Sequence, residues 1–115
     1  MTLLEEIRDK LKNVDSKVYY GLAEKTEPCN YIVFRRNRIK HSANKTGKTH
    51  YYSVAVVRED YMEEGIEDKI IEEMRKIPGI KVSQDDISYD YAKKPNTNTV
   101  VEIMEIQFCR AVKNA

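Results

Sequence analysis

Residues 50–58 have the sequence His-Tyr-Tyr-Ser-Val-Ala-Val-Val-Arg, which is the strongest strand signal in the chain. Aromatic and β-branched residues are the types that strands favour. Because successive side chains of a strand point to opposite faces, the segment has two distinct sides. The alternation places Tyr52, Val54 and Val56 on one side and Tyr51, Ser53 and Ala55 on the other. The segment is therefore predicted to be a strand.

One amphipathic helix is predicted before this strand in the sequence, and a second is predicted after it. Thr2-Leu-Leu-Glu5 fits a capping box, in which the hydroxyl and the carboxylate satisfy unpaired backbone donors. Apolar residues then recur at three- and four-residue spacing, at Leu3, Leu4, Ile7, Leu11 and Val14. The second helix follows an acidic connection at 59–65 and has its own apolar stripe, at Ile66, Ile70, Ile71, Met74 and Ile77. Pro78-Gly79 ends it.

The remaining segments predict further strands. Short extended segments are expected at 17–22 and 30–36, separated by a turn at Glu27-Pro28. Residues 80–91 predict a strand whose phase shifts around 84–86, and residues 99–110 predict a long final strand after a turn at 93–98. The polar stretch 37–49 has no regular period, so it is expected to be a long loop or a hairpin with an open tip.

This order of elements predicts the fold class. Strands joined by turns are expected to pair antiparallel, and each amphipathic helix must bury its apolar face. A chain of 115 residues is too short for two cores. We therefore expect a single α+β domain over residues 1–115, with a mostly antiparallel sheet and both helices packed on one face as a two-layer sandwich.

Membrane, secretory and disulfide-stabilised classes do not fit the sequence. The longest aliphatic run, Val54–Val57, is far shorter than the roughly 20 residues that span a bilayer. The N-terminus carries acids where a signal peptide needs a basic head. Cys29 and Cys109 lie far apart with no CxxC motif, so they are expected to be reduced thiols in a cytoplasmic protein.

Catalytic motifs are absent from the sequence. There is no GxSxG, HExxH, glycine-rich phosphate loop or dinucleotide fingerprint. His41 and His50 could bind a metal or exchange protons, but no Cys, Asp or Glu lies beside them, which favours a polar role. Glu67-Asp68-Lys69 matches the acid-x-Lys fragment of metal-dependent nucleases, but it falls in the second helix instead of on a strand. We expect no enzyme activity, catalytic residue, cofactor or metal.

The eight tyrosines allow two interpretations. Aromatic residues on an exposed sheet could stack nucleic-acid bases. Tyrosine also suits a sheet face that is half buried or covered by another subunit. Because no RNP-like glycine-aromatic signature is present, packing or an interface is favoured.

Charge is strongly segregated along the chain. Residues 35–50 contain six bases and no acid, whereas residues 59–73 contain eight acids and one base. Three interpretations stay open: two solvated segments, a basic loop that binds nucleic-acid phosphates, or head-to-tail contact between the basic loop of one copy and the acidic region of the next. The acidic flank would repel a polyanion, which weighs against the interpretation that the basic loop binds nucleic-acid phosphates. The candidate interface residues are Arg35, Arg36, Arg38, Lys40, Lys45, Lys48, Glu59, Asp60, Glu63 and Glu64.

Over nearly its whole length the chain resembles the small tail terminator and tail completion proteins of tailed bacteriophages and prophages. The resemblance rests on the N-terminal amphipathic helix, the long loop and four segments. These segments are Tyr31-Ile-Val-Phe34, Tyr51-Tyr-Ser-Val-Ala-Val-Val57, Gly65-Ile-Glu-Asp-Lys-Ile-Ile71 and Ile103-Met-Glu-Ile-Gln-Phe108.

The resemblance implies an α+β subunit that assembles into a homo-oligomeric, hexameric ring. Such rings cap the tail tube, stop its polymerisation and present a surface to the head-completion or connector protein. The family has no catalytic residues, so none is transferred. The resemblance also implies assembly in the bacterial host cytoplasm, incorporation into the virion tail, and a loop at 37–49 that contacts the tube or a neighbouring subunit. A nucleic-acid-binding module that uses the basic residues of 35–48 is the alternative.

Overall fold

The computed structural model describes residues 2–22, 29–41, 47–83 and 87–113, which form two helices and six strands. In chain order the elements are α1 (Leu3–Leu11), β1 (Val18–Tyr20), β2 (Tyr31–His41), β3 (Gly47–Glu59), α2 (Ile66–Arg75), β4 (Ile80–Val82), β5 (Ser88–Lys93) and β6 (Val100–Lys113).

The strands form one sheet in the order β1-β2-β3-β6-β4, and β5 pairs with β6 on the same side as β4. The three long strands β2, β3 and β6 are antiparallel neighbours, with Phe34 opposite Val54 and Val54 opposite Ile106. The predicted α+β class with a mostly antiparallel sheet is therefore confirmed.

Both helices cover the same face of the sheet, as predicted. The apolar stripes of α1 and α2 pack against alternate residues of β2, β3 and β6. The central members of this core are Ile7, Leu11, Ile70, Met74, Ile32, Phe34, Tyr52, Val54, Val56, Met104, Ile106 and Phe108. We call this face the helix side and the opposite face the open side.

Local chemistry explains where the helices begin. In α1, the Glu5 backbone N–H donates to Thr2 Oγ1 at 3.2 Å and the Thr2 N–H donates to Glu5 Oε1 at 3.1 Å, which is the predicted capping box. α2 begins after Gly65, whose φ of +85° lies in the left-handed region that glycine adopts without a Cβ clash.

The pairing of β1 with β2 corrects the expectation that adjacent strands pair antiparallel. These strands are parallel, with Val18 opposite Ile32 and Tyr20 opposite Phe34. A two-residue turn can join antiparallel strands only, whereas ten residues, 21–30, separate β1 from β2 in the sequence. The predicted turn at Glu27-Pro28 lies outside the described residues.

The stretch 37–49 is a hairpin instead of a long loop. β2 continues to His41 and β3 already begins at Gly47, and the far end of β6 pairs with β3 up to Lys113. Three strand ends therefore form a β-arm at 37–41, 47–51 and 110–113. None of these arm residues belongs to the buried core, and the β2 part of the arm is exposed. The polar sequence tolerates a strand here because β3 has a backbone partner on each side.

β4 and β5 share the edge of β6 in different phases. Val82 lies opposite Phe108 and Ser88 lies opposite Glu105. Six residues of this edge therefore correspond to only three residues of β6, so the pairing register changes between β4 and β5. This confirms the predicted phase shift, although residues 84–86 themselves lie outside the described residues.

Candidate functional site

The basic residues predicted as an interface are divided between the two sides of the sheet. Arg36 lies opposite Tyr52, which belongs to the core face, whereas Arg38 lies opposite Tyr51. The register shift between Arg36 and Arg38 marks a β-bulge, which adds one residue and turns the following side chains to the other side. The pairing places Arg35, Arg38 and Lys40 on the open side and Arg36 and Lys48 on the helix side. Lys45 lies outside the described residues.

On the open side the arginines have partners within the chain. The guanidinium carbon of Arg38 lies 4.0 Å from the centroid of the Tyr51 ring, a cation–π contact. Arg35 Nη2 lies 4.0 Å from Glu105 Oε2. Beside them, Asn37 Nδ2 donates to Ser53 Oγ at 3.1 Å. These contacts order the base of the arm.

The arm also borders a cavity of about 540 Å³. Its lining residues are Arg36, Asn37, Arg38, Ile39, His50, Tyr51 and Tyr52. His50 Nε2 is buried there and has no hydrogen-bond partner among the described residues. A buried polar nitrogen without a partner is uncommon and costly, so this atom is a candidate contact for something outside the chain.

Positive charge surrounds His50. Burial lowers the pKa of His50 below its ordinary value, and the nearby cations Lys48, Arg36 and Arg110 lower it further. Arg110 lies over the turn after α2, since a Cβ built on Gly79 would stand 3.4 Å from Arg110 Cγ. We call Arg36, Lys48, His50 and Arg110 the basic cluster. Within the described ranges, none of its three permanent cations has a carboxylate partner.

Two of the predicted acidic interface residues instead hold the fold together. Glu59 Oε1 accepts from Lys94 Nζ at 2.8 Å and from the Cys29 N–H at 3.0 Å, and these hydrogen bonds lower the pKa of Glu59. Glu63 Oε1 accepts from Arg58 Nε at 2.7 Å, which lowers the pKa of Glu63. Asp60 is exposed and has a φ of +67°, a turn conformation that Asp tolerates.

Three other carboxylates at the start of α2 have no ion-pair partner in the part of the chain that the structure describes. These are Glu64, Glu67 and Asp68, which we call the acidic end. They border a cavity of about 600 Å³, together with Tyr89, Tyr91 and Glu102. Glu102 is already engaged, because its Oε1 accepts from the Met62 N–H at 2.8 Å and the carboxylate also accepts from the Tyr91 hydroxyl.

The acidic end was only partly predicted. Glu64 was among the candidate interface residues, whereas Glu67 and Asp68 were assigned to the charge run without a role. The signal for them is their position in the first turn of α2, where acids are favoured near the helix N-terminus. The same position confirms that Glu67 and Lys69 of the nuclease-like tripeptide lie on a helix.

The basic cluster and the acidic end lie at opposite ends of β3. Lys48 begins this strand and Glu59 ends it, just before the segment that leads into α2. At about 3.3 Å per residue, the eleven steps between them span about 36 Å. The molecule is elongated, measuring 51 × 26 × 25 Å.

Other site types were tested against the same geometry. Among residues 2–22, 29–41, 47–83 and 87–113, no group of three His, Cys, Asp or Glu side chains is placed to hold a metal ion. Neither helix has the length or the apolar character needed to cross a membrane. Both cysteines are thiols.

Comparisons with known proteins give no functional assignment. No family model matches the chain, and no curated protein matches it. One solved structure aligns with 100% of this chain and 99% of its own, at 12% sequence identity and a TM-score of 0.46. A likeness of that strength carries no argument.

Proposed function

We propose that the protein is a structural subunit of a phage or prophage tail, of the tail terminator or tail completion type, which forms a ring on the tail tube and catalyses no reaction. The observation that carries the proposal is the placement, among the described residues, of the basic cluster and the acidic end toward opposite ends of β3 in an elongated subunit. Such a subunit can join its neighbour through two different surfaces, and contacts of that kind close into rings when the rotation allows.

The arm supports an assembly role in a second way. Its three strand ends extend past the core, so the arm is ordered by backbone pairing instead of by a hydrophobic layer of its own. Ile39 is 53% exposed on it, beside Arg36 and His50. Exposed apolar and arginine side chains together are typical of protein interfaces. A partner protein that covers this end would bury them.

The partners follow from the proposed role. Copies of the chain form the ring, which is hexameric in the family that the sequence resembles. One face of the ring would contact the tail tube protein and the other the head-completion or connector protein. The subunits would assemble in the host cytoplasm and become part of the virion tail.

The alternative, a nucleic-acid-binding module, uses the same arm and is less favoured. The free carboxylates Glu64, Glu67 and Asp68 add negative charge that a polyanion would avoid. A gel-shift titration tests it directly, because phosphate binding weakens steeply as salt rises. Affinity that falls with salt and disappears in the R36E/K40E variant would favour this alternative.

The experiment for the proposed function is a tube-growth assay. The protein is added to the tail tube protein that its own genome encodes while the tubes polymerise, and tube lengths are measured by electron microscopy. We expect shorter tubes with an extra ring of density at one end. The K12E/R75E variant is the matched control, because it changes two exposed bases outside the arm and should cap as the wild type does. Tubes of unchanged length with bare ends would contradict the proposal.

A further inference from the structure

We propose that the cavity beside the arm is the docking site for carboxylates of the acidic end of a second copy of this chain. This inference rests on the ring-forming function proposed above and names the surfaces that meet. Arg36 and His50 of the basic cluster line the cavity, Lys48 and Arg110 add positive charge near His50, and the carboxylates are those of Glu64, Glu67 and Asp68.

The cavity requires a negatively charged occupant. His50 Nε2 is buried without a partner among the described residues, and Arg36, Lys48 and Arg110 surround it without a carboxylate of their own. Carboxylate oxygens accept hydrogen bonds from all of these groups, and bonds between charged partners are shorter and stronger than neutral ones. A docked carboxylate would also favour the protonated imidazole, which burial and the three cations disfavour in the single subunit.

The acidic end supplies carboxylates that the fold does not use. Glu63 is held by Arg58, Glu59 by Lys94, and Glu102 by the Met62 N–H. Glu64 and Asp68 are exposed and Glu67 is half-buried. The first turn of α2 carries Glu67 and Asp68, and Gly65 joins Glu64 directly to that turn. The three side chains therefore belong to one short, ordered segment that can be presented as a unit.

The two surfaces cannot meet within one subunit. His50 and Arg58, which lies opposite Glu102 beside the acidic end, are eight residues apart on β3, or about 26 Å, and β3 is paired on both sides between His50 and Val57. The arm of one copy must therefore meet the acidic end of another. Because the two contacting surfaces differ, a joined pair of subunits keeps one unused surface of each kind, and the contact continues around a ring or along a filament. The match in sign, with one basic and one acidic surface on each copy, favours a second copy over a nucleic acid.

Two complementary variants test this contact by sedimentation velocity. R36E/K48E removes the basic surface, and E64K/E67K removes the acidic one. Each variant alone is expected to associate at least about 100-fold more weakly than the wild type, because like charges then face one another. An equimolar mixture should assemble again, because every contact between the two variants then joins surfaces of opposite charge, either both native or both reversed. K12E/R75E, with the same change in net charge as R36E/K48E, should associate as the wild type does.

The outcomes separate this inference from the proposed function. Assembly of the mixture, where neither variant assembles alone, supports the contact and shows that both variants are folded. If the wild type assembles, alone or on the tail tube, while the mixture stays monomeric, this contact is wrong and the proposed function stands. Wild-type assembly that neither variant weakens would overturn the contact in the same way. If the wild type never assembles, even with the tube protein, the proposed function fails.

A 30-nucleotide strand that binds the wild type and not R36E/K48E, while both proteins assemble equally, would assign the arm to phosphates and overturn the inference.

Discussion

Arg58 Nη1 lies 2.8 Å from Asp15 Oδ2, and the Nε of the same guanidinium lies 2.7 Å from Glu63 Oε1. Arg58 is 9% exposed, so a nearly buried cation joins the segment after α1, the end of β3 and the segment before α2. This ion-pair network ties the acidic end to the rest of the fold. Asp15 and Glu63 stabilise the subunit through Arg58, whereas the carboxylates of the acidic end have no ion-pair partner among the described residues.

Replacing Arg58 should strongly destabilise the protein. The Arg58→Leu variant leaves Asp15, whose side chain is 13% exposed, without its cation, and breaking a buried pair in this way costs about 3–5 kcal/mol. Urea unfolding measures the difference. Arg35→Leu is the control, because the Arg35 side chain is 54% exposed and its removal should change the free energy of unfolding by less than about 0.5 kcal/mol. Equal losses in the two variants would show that the Arg58 network does not stabilise the fold.

Stability should fall in acid as Glu63 takes up a proton. The Arg58 hydrogen bond lowers the pKa of Glu63 in the folded protein, so the unfolded chain binds this proton more readily. The contribution of Glu63 is therefore complete above its ordinary pKa of 4.5 and is lost as the pH falls through the lowered folded value. Thermal unfolding between pH 7 and pH 3 should show a smaller decline in Tm for Glu63→Gln than for the wild type. Parallel curves would contradict this assignment.

The core and the arm should respond differently to the same truncation. Ile106 is fully buried between the sheet and the helices, so Ile106→Ala should lower the free energy of unfolding by about 2–5 kcal/mol. Ile39 on the arm is 53% exposed, and Ile39→Ala should change it by less than about 1 kcal/mol. Denaturant unfolding of the two variants measures both values. A large loss at Ile39 would mean that the arm has a core of its own.

His50 should give a second pH dependence, in a window above that of the carboxylates. Its folded pKa is lowered from 6.5, so the unfolded chain binds the proton more readily and the stability contribution is complete above that value. At concentrations where the protein is monomeric, the free energy of unfolding should decline between pH 7 and pH 5. The decline should be smaller in His50→Gln, while His41→Gln serves as a matched control at an exposed position. An unchanged slope in His50→Gln would contradict the buried environment.

Local features of the fold could be predicted from the sequence. The capping box of α1 and the alternation around Val54 depend on residues within a few positions of one another, and both are found as expected. The parallel pairing of β1 with β2 could not be predicted, because the composition of a strand does not determine the direction in which it pairs. The hairpin was one of two alternatives predicted for 37–49, and the sequence could not decide between them because the pairing of β3 with β6 involves residues distant in sequence.

The sequence predicted two charged stretches, but it did not predict which of their residues are left without partners inside the fold. Segregation of sign along the sequence indicated a basic and an acidic region, and the structure places them at opposite ends of β3. Which members are engaged within the fold depends on contacts such as Glu59 with Lys94, 35 residues apart, and Arg58 with Asp15. Arg110 joined the basic cluster through strand pairing with His50, which no local pattern reveals.

The central claim is that unlike-charged ends join copies of this subunit, and sedimentation velocity of the wild-type chain across protein concentration and salt tests it most directly. We expect larger species as concentration rises at about 50 mM salt, and their dissociation at about 500 mM salt, where screening acts within about 4–5 Å. The same titration is run with the tail tube protein present. A chain that stays monomeric at every concentration and salt level, with and without that partner, would contradict the account.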